Sequence, residues 1–509
     1  MEEKVGLPQG WVWVKFLEAV EVLDSFRSPI NNDERNQRIS GKAENELFPY
    51  YGATGQVGWI DSFLLNEKLV LLGEDAAPFY DPCKPVAYLV SGKTWVNNHA
   101  HVLRAKGLTT NKFLLHYLNQ FDYHGYVTGT TRLKLTQQSM NQIPVCIPPL
   151  PEQRRIVAKL EELFSRLDAG VAAVRRTQAL LKRYRQSVLH AAVTGELTRA
   201  WREAHPAPTE TGAALLTRLR AERRAQWEVA QVAKRGGQLP LNDAWKKKYE
   251  EPAAPDTSEL PELPAGWVWA SMRQLGEVRL GRQRAPQHHS GPHMRPYLRV
   301  ANVYEDQFDL RDVMEMNFTP EEYEVYRLRE NDILLNEGQS LELVGRPALY
   351  RNEVPGVCFT NTLVRFRTYQ NVLPQYALSV FRSYLHNGIF QKIASWTTSI
   401  AHLGADRFAG LHFPLPPLAE QAEIVAEVER RLTVLDALSQ TLTAELKRAE
   451  RLRQSLLHQA FTGRLVPQDA TDEPAAALLA RLRETPAVAP AKGKAGRGRK
   501  ATAQATLDL

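Results

Sequence analysis

The chain has little cysteine and no long apolar segment, and these two absences limit its class. Its 509 residues include only three cysteines, Cys83, Cys146 and Cys358, which are scattered and odd in number. They predict buried reduced thiols rather than a disulfide framework or a zinc site. No run of about 18 apolar residues occurs, and the first residues lack the apolar core of a secretory signal. We therefore expect a cytoplasmic protein without a membrane span.

The sequence also lacks the common catalytic signatures. It has no phosphate-binding loop of the form GxxxxGK(S/T), and Gly52, Gly55 and Gly58 have the wrong spacing for a dinucleotide fingerprint. The Asn-Pro-Pro-Tyr tetrapeptide of aminomethylating enzymes is absent as well. A chain of this length without a catalytic constellation predicts a binding or scaffolding protein.

One histidine-containing segment leaves an alternative open. In Asn97-Asn98-His99-Ala100-His101, two histidines lie two positions apart, and on a strand they would share one face. A metal pair or a nuclease fragment would use such an arrangement, although no third ligand cluster accompanies it. The loop that holds His288, His289 and His293 gives no stronger signal. We therefore predict that the chain holds no metal.

The chain contains one series of motifs that occurs twice. The segment 7–13, Leu-Pro-Gln-Gly-Trp-Val-Trp, returns 256 positions later as 263–269, Leu-Pro-Ala-Gly-Trp-Val-Trp. The segment 148–153, Pro-Pro-Leu-Pro-Glu-Gln, returns 268 positions later, and so does Thr194-Gly195. The modules between these motifs therefore differ in length, whereas the stretch that follows each module does not. Two variable modules and two equal connectors predict a device that holds two binding sites at a set distance.

The local patterns predict α+β modules joined to long helices. Residues 1–147 and 263–413 contain short strand-like runs that end in turn residues, and each is expected to form one globular domain. A short helix is expected at 111–119. Strands are expected at 58–61, 68–72, 86–90, 297–303, 332–336 and 362–366.

Residues 148–197 and 414–465 predict helices of roughly 40 residues, about 60 Å long. Pro151 suits a helix start, and Gly195 and Gly463 suit the positions after a helix end. Apolar residues recur at spacings of 3, 4 and 7, which is coiled-coil-like. We predict that the two helices pack against each other in antiparallel directions. The alternative is that each helix packs only on its own module.

The remaining segments predict connections and a tail. Residues 198–262 indicate a linker with a short helix, and residues 466–509 indicate a second short helix followed by a disordered basic tail around Lys494–Lys500. Charge is unevenly spread: each module is nearly neutral, whereas residues 150–200 hold 10 Lys or Arg against 5 Asp or Glu. Nucleic-acid binding by the modules would therefore require a local face.

Together these motifs resemble the specificity subunits of type I restriction-modification systems. Both modules open with Leu-Pro-x-Gly-Trp-x-Trp and close with a Thr-rich turn, at 129–133 and 397–400, before the PPL-x-EQ helix start. The first module, with Tyr50–Gly55, Leu72–Asp75 and Val96–His101, is similar to one class of target-recognition domain. The second, with Leu298–Val303, Asp332–Gly338 and Val344–Arg346, resembles another class.

The resemblance implies a non-catalytic subunit in which each module reads one half of a split double-stranded DNA target. It implies an α+β architecture with two target-recognition domains separated by two antiparallel helices that set the gap. The implied partners are two modification subunits, which carry S-adenosylmethionine and methylate adenine at N6. Restriction subunits that use ATP and Mg²⁺ would add cleavage. No cofactor is expected in this chain.

Candidate residues follow from the chemistry of base recognition, in which Asn and Gln bind adenine and Arg binds guanine. The candidates for DNA binding are Thr54, Gln56, Asn97, Asn98, His99, Arg132, Arg299, Asn302, Asn336, Gln339, Ser340, Arg346 and Asn361. The candidates for partner binding on the helices are Glu152, Gln153, Leu181, Tyr184, Glu420, Gln421, Leu452 and Leu456.

Several of these residues have a second interpretation. Asn97 and Asn98 also suit a capped turn, and Arg346 also suits a phosphate or a surface carboxylate. The helix residues Arg175, Arg176, Arg183 and Arg185 suit DNA, a partner or a solvated face equally.

Three other functions compete with the DNA-specificity subunit. The first is the recognition subunit of a related bipartite methyltransferase without a motor-nuclease, which the neighbouring genes would distinguish. The second is an enzyme with a nuclease site around His99 and His101. The third is a coiled-coil adaptor, for which the steep salt dependence of DNA binding would be missing.

Overall fold

The computed structural model describes residues 6–206, 208–234, 236, 238, 242–397 and 399–484. The basic tail around Lys494–Lys500 lies outside the described residues. Within these ranges, no helix is both long enough and apolar enough to cross a membrane.

The chain divides into two compact units, each of which joins distant parts of the sequence. Unit 1 comprises Met1–Val174 with Ala444–Leu509, and unit 2 comprises Arg175–Thr443. Each unit therefore combines one module with part of both long helices. The sequence analysis divided the chain into consecutive segments. In the structure, each module shares its hydrophobic core with helix residues from both halves of the chain.

The module of unit 1 contains ten strands in three sheets. The sheets have the strand orders β1-β10, β2-β9-β6-β7 and β4-β3-β8-β5. The strands are β1 Val12–Lys15, β2 Val20–Val22, β3 Phe48–Gly52, β4 Gly55–Ile60, β5 Leu65–Asn66, β6 Leu69–Gly73, β7 Ala87–Val90, β8 Lys93–Val96, β9 Ala100–Ala105 and β10 Pro144–Ile147.

The module of unit 2 contains fourteen strands in five sheets among its described residues. The orders are β11-β24, β12-β21-β17-β19, β16-β13-β20, β14-β15 and β18-β23-β22. The strands are β11 Val268–Ser271, β12 Gly276–Leu280, β13 Met294–Leu298, β14 Val303–Tyr304, β15 Gln307–Phe308, β16 Met314–Asn317, β17 Ile333–Asn336, β18 Gly338–Gln339, β19 Pro347–Leu349, β20 Cys358–Phe359, β21 Leu363–Thr368, β22 Ser395–Trp396, β23 Ala401–His402 and β24 His412–Leu415.

Fourteen α-helices occur in the described part of the chain. They are α1 Phe16–Ala19, α2 Asn32–Ile39, α3 Asn111–Gln120, α4 Gln137–Met140, α5 Leu150–Thr194, α6 Arg199–Ala204, α7 Gly212–Ala233, α8 Met272–Leu275, α9 Pro320–Tyr326, α10 Pro374–His386, α11 Ile389–Ile393, α12 Ala405–Gly410, α13 Leu418–Phe461 and α14 Ala475–Glu484. The mixed helix and sheet content confirms the predicted α+β class.

The same pair of strands closes both modules. Val12 of β1 lies opposite Ile147 of β10, and Val268 of β11 lies opposite Leu415 of β24, both in antiparallel register. The first and last strands of each module are therefore neighbours. Because the last strand is followed at once by a long helix, the chain enters its module beside the place where that helix starts.

The two long helices have nearly equal length, as the repeat predicts. Helix α5 has 45 residues and helix α13 has 44, which corresponds to about 65 Å each. Helix α5 is followed by Gly195, whose φ is +75°, and Thr462 separates α13 from Gly463, whose φ is +69°. This left-handed conformation ends a helix with little strain only at glycine. The predicted stop signals are confirmed.

Within each unit the two long helices run in antiparallel directions. In unit 1 Asp168 pairs with Arg453, while Ile156 near the start of α5 shares the core with Ala460 near the end of α13. In unit 2 the residues 268 positions away make the same contact, because Arg185 pairs with Asp436. The helices thus pack on each other and on the modules, which combines the two arrangements that the sequence left open.

One predicted strand is interrupted. The run 297–303 forms the end of β13, then a 3-10 turn at Val300–Asn302, then β14. The buried amide of Asn302 accepts a hydrogen bond from Arg299 N and donates to the carbonyls of Asp309 and Asp312. These local bonds replace the ladder of a continuous strand.

Buried polar residues connect the start of each long helix to the residue before the first strand of its module. The Trp11 indole donates to Glu152 over 3.0 Å, and the Trp267 indole donates to Glu420 over 2.8 Å. Gln153 accepts a hydrogen bond from the Thr109 hydroxyl over 2.8 Å. These bonds connect α5 and α13 to the modules whose last strands precede them.

This arrangement corrects part of the predicted partner surface. Six of its residues are buried or partly buried and are used inside the units: Glu152, Gln153, Glu420 and Gln421 by hydrogen bonds, and Leu181 and Leu456 by packing on the cores. The sequence pattern of charged and amide residues at a helix start did not reveal that an indole and backbone groups would enclose them.

The two glutamates lie in different electrostatic surroundings. Glu420 also accepts from the Thr198 hydroxyl over 2.7 Å and pairs with Arg202. Glu152 forms no salt bridge among the described residues, and its Oε1 is buried without a hydrogen bond. Burial raises the pKa of its carboxyl, although the nearby charge of Arg155 acts in the opposite direction. A raised pKa in the folded state means that the charged form is disfavoured there.

We therefore expect Glu152→Gln and Glu420→Gln to change the free energy of unfolding in opposite directions. Because the pKa of Glu152 is raised in the folded state, its contribution to stability is present below pH 4.5 and is lost as pH rises through the pKa of the folded state. Glutamine does not ionise, so Glu152→Gln should not show this loss of stability at higher pH. Glu420→Gln should cost about 2 kcal/mol or more, because it leaves Arg202 without its carboxylate. Chemical unfolding at pH 5 and pH 8 measures both effects. An equal loss of stability in the two variants would contradict the difference.

Candidate nucleic-acid interface

Four segments of the first module converge beside the end of strand β6. They are the β3–β4 hairpin, the loop after β6, the turn at Asn97–His99 and the hairpin 128–134, which we call ribbon 1. The Asn97 amide donates to Tyr51 O over 3.1 Å, and the Leu135 amide donates to Glu74 O over 2.7 Å. Backbone bonds therefore hold these segments together before any side chain is considered.

Carboxylates of the central loop bind the cations of the surrounding segments. Asp75 lies 3.0 Å from the Arg132 guanidinium and 2.8 Å from His99 Nδ1. Glu74 lies 3.3 Å from Lys134 Nζ and also pairs with Arg27. Arg132 and Lys134 are exposed, so these pairs position cations at the surface.

The DNA-binding candidates of the first module differ in exposure: most lie at the surface, and one is buried in a turn. Thr54, Gln56, Asn98 and Arg132 are exposed, and His99 is half-buried. Asn97 is buried, and its side-chain oxygen accepts from the His99 amide over 2.8 Å. Asn97 is therefore not available to a base in this structure, and it caps the turn instead.

The histidine pair is not arranged as a metal or nuclease site. His101 is fully buried, with Nδ1 2.6 Å from Asp24 and Nε2 2.9 Å from Leu135 O. Both of its ring nitrogens are therefore engaged within the fold. Across the described residues, no cluster of three His, Cys, Asp or Glu side chains has the geometry to bind a metal ion.

The second module repeats the same construction with different residues. Glu337 follows strand β17 as Glu74 follows β6, and its backbone oxygen accepts from the Leu403 amide over 2.8 Å. Its carboxylate lies 3.0 Å from His402 Nδ1 and accepts from the Gly404 amide. Leu403 and His402 lie 268 positions after Leu135 and Lys134. The paired strands β22 and β23, which we together call ribbon 2, are thus the counterpart of ribbon 1.

The DNA-binding candidates of the second module also differ in exposure. Gln339, Ser340 and Asn361 are half-buried and belong to loops or the edge of the small sheet β18-β23-β22. Asn302 and Asn336 are buried, so neither is accessible to a base. Asn302 holds the 3-10 turn, whereas both side-chain atoms of Asn336 lack a hydrogen-bond partner in the described structure.

The two candidate arginines of this module are held in place. Arg299 pairs with Asp312. Arg346 donates to Val303 O over 2.5 Å and lies over the Tyr304 ring, 4.6 Å from its centre. Burial lowers the pKa of Arg346, because the cation is partly removed from water.

Sequence reasoning missed the residues that support these surfaces. Arg27, Lys134 and His402 were not selected, and Glu74 and Glu337 were not recognised as anchors. One signal was present: each glutamate comes directly after a strand whose residues are all buried. A charged residue at that position marks the point where a core strand reaches the surface.

Comparisons with known proteins agree with this construction. A family model described as the type I restriction modification DNA specificity domain matches residues 16–172. The type I restriction enzyme EcoKI specificity subunit of Escherichia coli (strain K12) is 26% identical over 396 residues, covering 75% of this chain and 73% of that protein. The StySPI specificity subunit of Salmonella potsdam is 26% identical over 414 residues, covering 77% and 75% respectively.

By these comparisons the chain is similar to the specificity subunits of type I restriction-modification systems over about three quarters of its length. A solved structure concerning complex assembly and conformational transition of the type I R-M system has the same fold, with a TM-score of 0.59 at 17% identity. That match covers 90% of this chain and 100% of the solved chain.

We expect the two glutamate anchors, Glu74 and Glu337, to act separately on their own modules. Glu74→Ala should increase amide hydrogen exchange about tenfold in ribbon 1, because it removes the contacts to Lys134 and Arg27. Glu337→Ala should do the same in ribbon 2. Hydrogen exchange read by mass spectrometry measures both ribbons at once, so each variant is the control for the other. Unchanged exchange in the altered module would contradict the anchoring role.

Proposed function

We propose that this chain binds a split double-stranded DNA target, with one module on each half-site and the long helices setting the gap. The observation that carries the proposal is the repeated glutamate-anchored ribbon beside two helices of nearly equal length. The ribbons carry different side chains at equivalent positions, which suits two different half-sites. The equal helices suit a fixed distance between them.

The charge distribution supports local rather than overall contact with DNA. Each module is nearly neutral in total, so a uniform positive surface does not attract the duplex. In the first module, Arg132 and Lys134 bring positive charge to the surface of ribbon 1. Phosphate contacts by such residues position a protein, and polar side chains such as Gln56, Asn98 and Gln339 can then read base edges.

The chain itself is the non-catalytic component. The related specificity subunits support this assignment. We infer that two modification subunits carrying S-adenosylmethionine methylate adenine at N6 on the selected target, and that restriction subunits using ATP and Mg²⁺ add cleavage. This part rests on the family resemblance and on the repeat.

Mapping of N6-methyladenine across the host genome, with and without this gene, tests the proposal. We expect the loss of one split motif with two short half-sites and a fixed gap. Persistence of all motifs in a host that makes the whole system, together with no salt-sensitive DNA binding, would favour a protein-binding adaptor. Methylation without any cleavage would instead favour the bipartite methyltransferase.

A length variant separates the role of the helices from that of the modules. Seven residues inserted after Gly170 and after Leu438, which are 268 positions apart, would lengthen both helices by about 10 Å and keep the apolar faces nearly aligned. The gap should grow by about three base pairs while the half-sites stay the same. Insertion in one helix alone is the control, and it should abolish methylation because the paired contacts lose their register.

Two exposed apolar residues are the remaining candidates for docking the modification subunits. Tyr184 on α5 is 48% exposed and Leu452 on α13 is 46% exposed, and they lie 268 positions apart. Equivalent surfaces on a repeated chain suit two copies of one partner. Apolar side chains exposed at repeated positions are also typical of protein interfaces.

We expect Tyr184→Asp and Leu452→Asp each to remove one modification subunit, and the double variant to remove both. A charge at the centre of an apolar contact should weaken it at least tenfold. Native mass spectrometry of the assembled complex reads the stoichiometry. Leu438→Asp is the matched control, because Leu438 is also 46% exposed while its counterpart is Gly170. Complexes of unchanged stoichiometry in the double variant would exclude this surface.

A further inference from the structure

The buried side chain of His101 makes two contacts that one N–H group does not satisfy. Its Nδ1 lies 2.6 Å from a carboxylate oxygen of Asp24, and its Nε2 lies 2.9 Å from the backbone oxygen of Leu135. A backbone oxygen and an ionised carboxylate only accept hydrogen bonds, whereas a neutral imidazole has a single N–H to donate. The ring is fully buried, so neither partner can replace this contact by one with bulk water.

We propose that His101 carries a proton on each ring nitrogen and, in this form, positions ribbon 1. Loss of one proton as pH rises then loosens ribbon 1 and weakens recognition of the half-site of the first module. The half-site of the second module does not share this dependence. The link to recognition rests on the proposed function, whereas the positioning of the ribbon does not.

The contacts of Asp24 place the additional proton on the imidazole and not on the carboxyl group. Asp24 Oδ1 accepts from the Val102 amide over 2.9 Å, and Asp24 Oδ2 lies 3.3 Å from the Arg27 guanidinium. An amide donor and a neighbouring positive charge both favour the ionised form of a carboxyl group. Because an ionised Asp24 can only accept, the proton between it and His101 belongs to the ring.

Charged groups from three segments face His101. Asp24 and Arg27 come from the segment after β2, Glu74 from the loop after β6, and Lys134 from ribbon 1. The Glu74 carboxylate lies 3.9 Å from His101 Nδ1 and pairs with both Arg27 and Lys134. The two carboxylates and the two other cations balance, so their total does not decide the charge of the ring. The backbone acceptor beside ribbon 1 decides it, because that acceptor needs a second N–H.

Leu135 directly follows ribbon 1, so its contacts fix the base of that hairpin. The Leu135 amide donates to Glu74 O over 2.7 Å, and the Ala76 amide donates to Leu133 O over 2.9 Å. The bond from His101 is a third contact at this place, and it is made by a side chain that titrates. A ring that has lost one proton turns a lone pair towards one of its two acceptors, and repulsion replaces a hydrogen bond.

The second module has an apolar residue at the equivalent position. His101 of β9 pairs with the β6 residue two positions before Glu74, and Val364 of β21 pairs with the β17 residue two positions before Glu337. Val364 is fully buried and cannot titrate. The two ribbons are therefore held by different chemistry at the same place in the sheet, and only the first depends on a proton there.

Two other histidines beside the ribbons do not need a second proton. His402 Nδ1 lies 3.0 Å from Glu337, and His402 Nε2 lies 3.5 Å from the Thr397 hydroxyl, which can donate. His99 Nδ1 lies 2.8 Å from Asp75. A neutral imidazole satisfies each of these contacts. A loss of order above neutral pH that is confined to ribbon 1 therefore distinguishes the buried ring from these two.

Amide hydrogen exchange of the full-length chain at pH 7 and pH 9 tests the positioning role without DNA. Rates at each pH are divided by the intrinsic exchange rate at that pH. We expect protection of ribbon 1 to fall about tenfold at pH 9, because a hydrogen bond from a charged group is replaced by a contact between two acceptors. Protection of strand β23 in ribbon 2 should change by about twofold or less.

One variant and one control attribute the effect to the ring. The amide of His101→Gln supplies donors that do not titrate in this range, so protection of ribbon 1 should no longer differ between pH 7 and pH 9. His124→Gln is the control, because His124 is exposed in the same module and should leave the pH dependence as in wild type. The wild-type comparison of the two ribbons does not depend on the folding of a variant.

Recognition is measured with duplexes that carry the split motif obtained by methylation mapping, bound by the chain with its modification subunits. Changing one base pair of the first half-site should weaken binding at pH 7 by a factor that becomes about fivefold smaller at pH 9, because a loosened ribbon loses contacts with the bases. The factor for a changed base pair in the second half-site should stay the same.

The outcomes separate the inference from the function on which its last step rests. Protection of ribbon 1 that is independent of pH, or a pH dependence that persists in His101→Gln, would overturn the positioning role. A pH-dependent ribbon 1 without any target-specific DNA binding would support the positioning role and overturn the proposed function. Target-specific binding in which both half-sites keep their factors at pH 9 would overturn the link between this proton and recognition.

Discussion

A buried hydrogen bond from a tryptophan to a glutamate is the constraint on which each half of the molecule depends. Trp11, the residue before the first strand of its module, donates to Glu152, and Trp267 donates to Glu420 from the equivalent position. Each bond joins the entry of the module to the first turn of the helix that leaves it. The closing strand pair brings these two chain segments side by side, and the bond fixes the position of the helix start against them. Recognition surfaces and helices can therefore be altered separately, provided that this junction is kept.

The repeat made most of the architecture predictable from the sequence. Helix starts and stops depend on local residue types such as Pro151 and Gly195, whose effect needs no tertiary information. Equal spacing then predicted two equivalent helices. The interruption at Val300–Asn302 was not predictable in the same way, because it depends on the Asn302 amide finding carbonyls of Asp309 and Asp312.

The candidate interface was less accessible to sequence reasoning. Asn98, Arg132 and Gln339 lie on or beside the two ribbons, and their contact with DNA stays a prediction. The roles of individual residues were often inverted: Asn97, Asn302 and Asn336 are buried, and Glu152 and Glu420 bind their own modules. A polar side chain has the same identity whether it faces a base or caps a turn. Burial, which decides between these roles, depends on tertiary contacts such as the one between Trp11 and Glu152, which are far apart in the chain.

The way that each compact unit is assembled has a consequence for synthesis on the ribosome. The core of the first module includes Leu457, Ala460, Ala475 and Leu479, near the end of the described chain. Among the described residues, the buried core of the second module extends from Val188 to Leu435, with Leu181 packed against it. The module that is translated second can therefore complete its core first. The module that is translated first must wait, with apolar surface uncovered, until the last helix has emerged.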